Sequence, residues 1–134
     1  MKKILIIEDD QALYNVYATE LKANGYDVSN ISTGGEAVEG IRNIKPDLVL
    51  LDIMLPSKNG LEILQEMKED EELSATKVVM LTNYGSDENV KKAIELGAEG
   101  YLLKYNIVPS ELNQKIGGYL GDGGDSPVPL TDTA

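Results

Sequence analysis

The stretch Asp47-Leu48-Val49-Leu50-Leu51-Asp52-Ile53-Met54-Leu55-Pro56-Ser57-Lys58-Asn59-Gly60 decides the fold. Leu48 to Leu51 run without the polar alternation of a half-exposed strand, a pattern that suits a strand buried on both faces of a parallel sheet. The run stops at a carboxylate, and Pro56 with the Asn59-Gly60 pair then forces a loop. Asp52 is thus expected where an interior strand meets solvent. In open α/β sheets, ligands bind in the crevice beyond the strand C-termini.

Outward from this stretch the same pattern repeats. Ile4 to Ile7 form a second continuous apolar run, ending at Glu8-Asp9-Asp10. Leu13, Val16, Tyr17 and Leu21 recur at helical spacing, with Asn24-Gly25 as a stop. Tyr26 to Ile31 read as a short strand, and Thr33 as a cap for a helix with Ala37, Val38, Ile41 and Ile44 inward, ended by Pro46. Beyond Gly60, Leu61, Leu64 and Met67 mark a third helix whose charged end, Lys68 to Glu72, reads as solvated. Lys77 to Leu81 form a fourth strand ending at Thr82. Ser86 or Asp87 caps a helix with Val90, Ala93, Ile94 and Gly97 on one face. Gly100 to Leu103 make a fifth strand ending at Lys104, and Pro109 to Ile116 a last, short helix. Five strands alternating with five helices predict one doubly wound parallel sheet with right-handed crossovers. The Gly34-Gly35 pair lacks the spacing of a phosphate-binding loop and is read as a turn.

Composition narrows the chemistry. The 134 residues suffice for one domain with a sizeable core. Cysteine and histidine are both absent, which removes thiolate nucleophiles, Ser-His-Asp triads and most transition-metal sites. Only oxygen ligands remain for a metal, pointing to Mg²⁺, Mn²⁺ or Ca²⁺. With 23 acidic and 12 basic residues the net charge is −11, so direct nucleic-acid binding by this domain is not expected. No apolar run approaches the roughly 20 residues of a membrane span. The apolar N-terminal run leads straight into three carboxylates and reads as a strand rather than a signal peptide. A cytoplasmic location is the default expectation. From Gly117 the composition shifts to glycine and proline. Residues 1–120 are read as the ordered domain and 121–134 as a flexible tail or truncated linker.

Four strand ends therefore converge on one edge, bearing Glu8 and Asp9, Asp52, Thr82, and Lys104. Three carboxylates in one crevice repel one another unless a cation lies among them. A hydroxyl and an ammonium opposite a hard divalent ion would hold the oxygens of a phosphoryl group. The set is a minimal kit for phosphoryl transfer to a carboxylate. Each member has a plainer reading when taken alone. Asp52 could simply end its strand, and Glu8-Asp9-Asp10 could be an acidic helix start. Thr82 and Lys104 could be ordinary strand-end and loop residues, and Tyr101 a half-buried aromatic.

Ile6-Ile7-Glu8-Asp9-Asp10, Leu51-Asp52-Ile53-Met54-Leu55-Pro56 with Gly60, Leu81-Thr82 and Tyr101-Leu102-Leu103-Lys104 together resemble the response-regulator receiver domain of two-component signalling, over Met1 to about Leu120. The resemblance implies a flavodoxin-like fold with strand order 2-1-3-4-5. It implies that Asp52 takes a phosphoryl group from a phosphohistidine on a sensor histidine kinase or phosphotransfer protein. It also implies Mg²⁺ held by Asp9, Asp52 and the Met54 carbonyl, with Glu8 acting mainly through water and Asp10 a minor candidate. Lys104 would pair with Asp52 in the empty site and with a phosphoryl oxygen in the loaded one. Thr82 would bind another such oxygen, and Tyr101 would be the aromatic that turns inward in the active state.

The sequence departs from the family at Tyr105, where receivers usually carry proline after a cis peptide. A cis bond before a non-proline residue costs about 2.5–4 kcal/mol, which leaves the isomer of the Lys104–Tyr105 peptide open. Met54 and Tyr84 stand where the family tunes acyl-phosphate lifetime. Two rivals belong to other classes. A phosphohydrolase forming an aspartyl-phosphate would carry a second Asp two places after the nucleophile, where this chain has Met54. A degenerate receiver would act as a phosphorylation-independent docking module, against which the intact Glu8, Asp9, Asp52, Thr82 and Lys104 argue. A receiver is a switch more than an enzyme, though it carries autophosphorylation and autodephosphorylation chemistry. The kinase, the stimulus and the output partner are not named by any residue here. Dimerisation through the fourth and fifth helices is left open.

Overall fold

A computed structural model describes residues 2–83, 88–105 and 107–121. The elements follow in order: β1 (Lys3–Ile7), α1 (Gln11–Ala23), β2 (Asp27–Ile31), a 3-10 turn (Gly34–Glu36), α2 (Ala37–Ile44), β3 (Leu48–Asp52), α3 (Gly60–Glu69), β4 (Lys77–Thr82), α4 (Glu88–Glu95), β5 (Gly100–Leu103) and α5 (Pro109–Leu120). The five strands are all parallel, in the order β2-β1-β3-β4-β5. This is the flavodoxin-like order, and it places β3 at the centre of the sheet.

Each strand residue points to the face opposite its neighbour's, and the continuous apolar runs feed two cores. Leu5, Ile7, Val49, Leu51, Val78 and Met80 face α2, α3 and α4, where Ile41, Ile63, Leu64, Met67 and Ala93 meet them. Ile4, Ile6, Leu48, Leu50, Val79 and Leu81 face α1 and α5, against Leu13, Tyr17, Leu21, Leu112 and Ile116. Truncating any of these buried leucines to alanine costs about 2–5 kcal/mol.

Several local expectations are corrected. Val16 and Ile94 stand well exposed. In α1 the inward stripe is Leu13, Tyr17, Ala18 and Leu21, and Val16, about 100° from Tyr17 on the helix wheel, falls on the water side. In α4 the stripe narrows to Val90 and Ala93. Strand β2 starts at Asp27 rather than Tyr26, whose ring packs instead on the α1/α5 core. Thr33 makes no side-chain capping bond, because the chain enters α2 through the 3-10 turn. Helix α5 runs on to Leu120 and stops at Gly121, whose φ of 77° gives a left-handed cap. Burial of Ile116, Gly117 and Leu120 carries the helix through the two glycines that read as a break. The charged end of α3 is not merely solvated. Arg42 on α2 donates to Asp70 and to Glu72 at 2.8 Å each, holding the Asp70 carboxyl below its usual range. The Ser86 or Asp87 cap, Tyr84 and the tail from residue 122 lie outside the described residues.

Candidate functional site

Hydrogen-bond register aligns the strand ends. Ile7 pairs with Leu51, Asp52 with Leu81, and Thr82 with Leu103. Glu8, Asp52, Thr82 and Lys104 therefore emerge side by side at one edge. They are also the four buried polar or charged residues among the described residues. Buried charges are tolerated only when paired or hydrogen-bonded, and this group is built on that condition.

The Lys104 ammonium lies 3.0 Å from Asp52 Oδ2 and 3.1 Å from Glu8 Oε1. Asp52 Oδ1 accepts from the Met54 N–H at 3.1 Å, and Glu8 Oε2 accepts from the Asp10 N–H at 3.0 Å. Burial pushes the Glu8 carboxyl up to about 7, helped by the charge of Asp52 and opposed by the Asp10 N–H and Lys104. Burial raises Asp52 as well, against the pull of Lys104. On Lys104 burial acts downward, but the carboxylates of Asp52 and Glu8 outweigh it and hold the ammonium above its ordinary value.

Asp9 is exposed beside them, and one oxygen each from Glu8, Asp9 and Asp52 falls within 4.8 Å of the others. When all are charged, three carboxylates face one ammonium, and two negative charges stand uncompensated. Glu8 Oε1, though near Lys104, is buried without a hydrogen-bond partner in proper geometry. An all-oxygen cluster with this charge surplus and an unsatisfied buried oxygen fits a hard divalent cation.

The loops around the site are tightly made. Gly60 donates its N–H to the Ile53 carbonyl at 2.8 Å, and a side chain there would collide with the Asp52 carbonyl and the Ile53 Cα. Asn59 and Glu62 form a capping box that starts α3. Gly34 donates to the Pro56 carbonyl and Gly35 to Ser57 Oγ, tying the turn before α2 to the loop after Asp52.

Of the residues singled out from sequence, Glu8, Asp9, Asp52, Thr82 and Lys104 gather at this edge. Asp10 instead caps α1, accepting from the Leu13 N–H at 3.1 Å. Met54 stands outward at 72% exposure. Tyr101 is half-buried and packs against the core under α2, α3 and α4. No cis peptide is present among the described residues, so the Lys104–Tyr105 bond is trans. Sequence reasoning missed two contacts. The Tyr17 hydroxyl donates to the Lys104 carbonyl at 2.7 Å, and the Tyr105 hydroxyl to Asp10 Oδ2 at 3.0 Å. Spacing within α1 marked Tyr17 only as core, and nothing local could reveal a partner 87 positions away.

The response regulator receiver domain family matches residues 4–117, and the chain belongs to that family. Among curated relatives, the DNA-binding response regulator MtrA of Mycolicibacterium paratuberculosis is 32% identical over 133 residues, covering 99% of this chain and 57% of MtrA. The chain thus spans little more than half the length of that relative. The BeF3-activated N-terminal receiver domain of Klebsiella pneumoniae RstA is similar in structure, with a TM-score of 0.80 and 36% identity over 88% of this chain and 97% of that one. The Mn²⁺-bound form of response regulator Rcp1 superposes with a TM-score of 0.79 at 25% identity, covering 97% of this chain and all of the other. Membership makes the chain a signalling domain of two-component systems that works through phosphorylation, a switch rather than a conventional enzyme. No helix among the described residues is long and apolar enough to cross a membrane.

Proposed function

We propose that Asp52 is the phosphoacceptor of this receiver, which occupies residues 1–120, and that its donor is a phosphohistidine on a sensor histidine kinase or phosphotransfer protein, met in the cytoplasm. The observation that carries this reading is the buried Asp52 carboxylate at the end of β3, with Lys104 at 3.0 Å and Glu8 and Asp9 against it. An Asp52 oxygen attacks phosphorus, the P–O bond forms, the P–N bond breaks, and the imidazole departs with its electron pair.

Mg²⁺ would be held by Asp9, Asp52 and the Met54 carbonyl, with Glu8 reached through water; when bound it offsets the negative charge that gathers in the transition state. Lys104 already holds Asp52 in place, and on transfer its ammonium passes to a phosphoryl oxygen. The Thr82 hydroxyl takes another. Burial at this edge limits the water that could hydrolyse the product. Phosphorylation then favours the state in which Thr82 has moved toward the phosphoryl group and Tyr101 has turned inward, a shift sustained by contacts that only that state offers. The surface formed by α4, β5 and α5 is the readout, and the output partner or a second phosphorylated copy would bind there.

Intact mass after incubation with acetyl phosphate tests the assignment, on wild type and Asp52→Asn, with and without Mg²⁺. The expected result is one phosphoryl group gained only by wild type and only with Mg²⁺. An adduct on Asp52→Asn would move the acceptor elsewhere. No adduct on either, with no NMR change on adding fluoroberyllate, would make the chain a phosphorylation-independent docking module.

A further inference from the structure

Lys104 must present its ammonium to Asp52 through a side chain with four rotatable bonds, so the placement of its main chain governs where the charge falls. That main chain is held from two sides. Its N–H donates to the Thr82 carbonyl at 2.8 Å, continuing the β4–β5 ladder beyond Leu103. Its carbonyl accepts from the Tyr17 hydroxyl at 2.7 Å, inside the fold, where Tyr17 is only 2% exposed. Burial holds the Tyr17 phenol above its ordinary value, so it stays a donor. Next along the turn, Tyr105 donates to Asp10 Oδ2 at 3.0 Å, while the other Asp10 oxygen caps α1. Helix α1 thus grips two consecutive residues of the β5–α5 turn, at its N-cap and at its second turn.

Neither contact touches Asp52, and neither belongs to the β4–β5 ladder, which is made of backbone bonds alone. What they determine is the direction in which the turn leaves the strand. A buried carbonyl deprived of its donor is left with an unmet desolvation cost, so without the Tyr17 hydroxyl the Lys104 main chain gains a reason to shift toward another partner, and its ammonium with it.

We propose that Tyr17 is a positioning residue for phosphoryl transfer, acting through the Lys104 carbonyl to hold the ammonium at Asp52, with the Tyr105–Asp10 bond as the outer half of the same clamp. The inference rests on the reading of Lys104 as the phosphoryl-binding lysine. Misplacing a reacting group by about 1 Å can cost about a hundredfold in rate; Tyr17→Phe, which keeps the ring and loses only the hydroxyl, is expected to slow acyl-phosphate formation roughly tenfold.

The experiment is a double-mutant cycle on the full chain, using phosphoramidate as donor at saturating Mg²⁺, with wild type, Tyr17→Phe, Lys104→Met and the double variant. Mg²⁺ affinity is read separately by NMR titration, and the Lys104 ammonium is followed by its own ¹⁵N–¹H signal. The proposal expects Tyr17→Phe and Lys104→Met each to slow the reaction, and the double variant to be no slower than Lys104→Met. It also expects Mg²⁺ affinity in Tyr17→Phe to stay within about twofold of wild type, and the ammonium signal to shift or broaden. If Lys104→Met reacts as fast as wild type, the reading of Lys104 fails and takes the inference with it. If Lys104→Met is slow but Tyr17→Phe is not, or if the two effects multiply, the reading stands and the positioning role is overturned. An unmoved ammonium signal, or Mg²⁺ affinity falling in step with the rate, overturns it as well. Should Tyr17→Phe fail to fold, Tyr105→Phe removes only the exposed bond to Asp10, and the same cycle with Lys104→Met decides.

Discussion

Lys104→Met probes the electrostatic construction of the site more sharply than any other single change. Methionine keeps most of the apolar stem, so the main loss is the charge 3.1 Å from Glu8 and 3.0 Å from Asp52. Both carboxylates are nearly inaccessible, at 0% and 1% exposure, and water cannot replace the ammonium. Removing one partner of a buried ion pair typically costs about 3–5 kcal/mol. The carboxylates can reduce that cost by taking up protons, which makes the loss depend on pH. In the wild type without metal, the Glu8 carboxyl is raised from about 4.5 to about 7. A raised acid penalises the folded state only when ionised, so its contribution is harmless below about pH 4.5 and stability declines as pH climbs through 7. Without Lys104 both carboxyls rise further, and the decline steepens and extends upward. We expect a loss of about 3–4 kcal/mol at pH 8, shrinking by at least about 1 kcal/mol at pH 5.5. Urea denaturation in EDTA, followed by far-ultraviolet circular dichroism, measures it; at about 1–3 kcal/mol per molar urea, the midpoint at pH 8 should fall by more than about 1 M. Adding Glu8→Gln to the variant should restore part of the loss. A variant as stable as wild type at pH 8, or a loss equal at both pH values, would refute this account of the pocket.

Three further outcomes follow from other residues. Asp9→Asn in EDTA should leave the fold as stable or more so, because it removes one of three clustered carboxylates; a clear drop in the urea midpoint would count against a shared acidic pocket. Gly60→Ala drives a methyl into the Asp52 carbonyl and the Ile53 Cα. It should cost about 1–3 kcal/mol and, by displacing Asp52, slow acyl-phosphate formation; unchanged stability and rate would show that the loop yields freely. Lys45 caps α2 in the left-handed region at φ 55°. Lys45→Gly should therefore raise stability by about 1 kcal/mol, visible as a melting temperature higher by several degrees, whereas a lower melting temperature would contradict the strain.

How much was legible beforehand differs by element. Continuous apolar runs at Ile4–Ile7, Leu48–Leu51 and Val78–Leu81 mark buried parallel strands because every side chain in them meets a helix layer. Helix faces were less secure. Three- and four-residue spacing admitted Val16 and Ile94 to the core stripe, and only the placement of α1 and α4 on the sheet shows that both turn to water. The end of α5 escapes local reading for a related reason. Propensity counts Gly117 and Gly118 as breakers, while burial of Ile116 and Leu120 outweighs that local preference. The Asp70–Glu72 run read as solvated because its partner, Arg42, lies about thirty positions back on another helix.

The alternation of five parallel strands with five helices, the edge at which the carboxylates, hydroxyl and lysine emerge, and the all-oxygen character of the site were determined by the sequence alone, since apolar runs and the residues that end them are local properties; the strand order followed only from the family resemblance. Tertiary structure decided what lies between those residues. It paired Lys104 with Glu8 as well as Asp52, buried Glu8 deeply enough to raise its carboxyl toward neutrality, sent Asp10 to cap a helix, and brought the Tyr17 hydroxyl to the Lys104 carbonyl. These depend on distances between segments far apart in the chain and on how much water the packing leaves, and neither quantity is carried by the spacing of residues along one strand or helix.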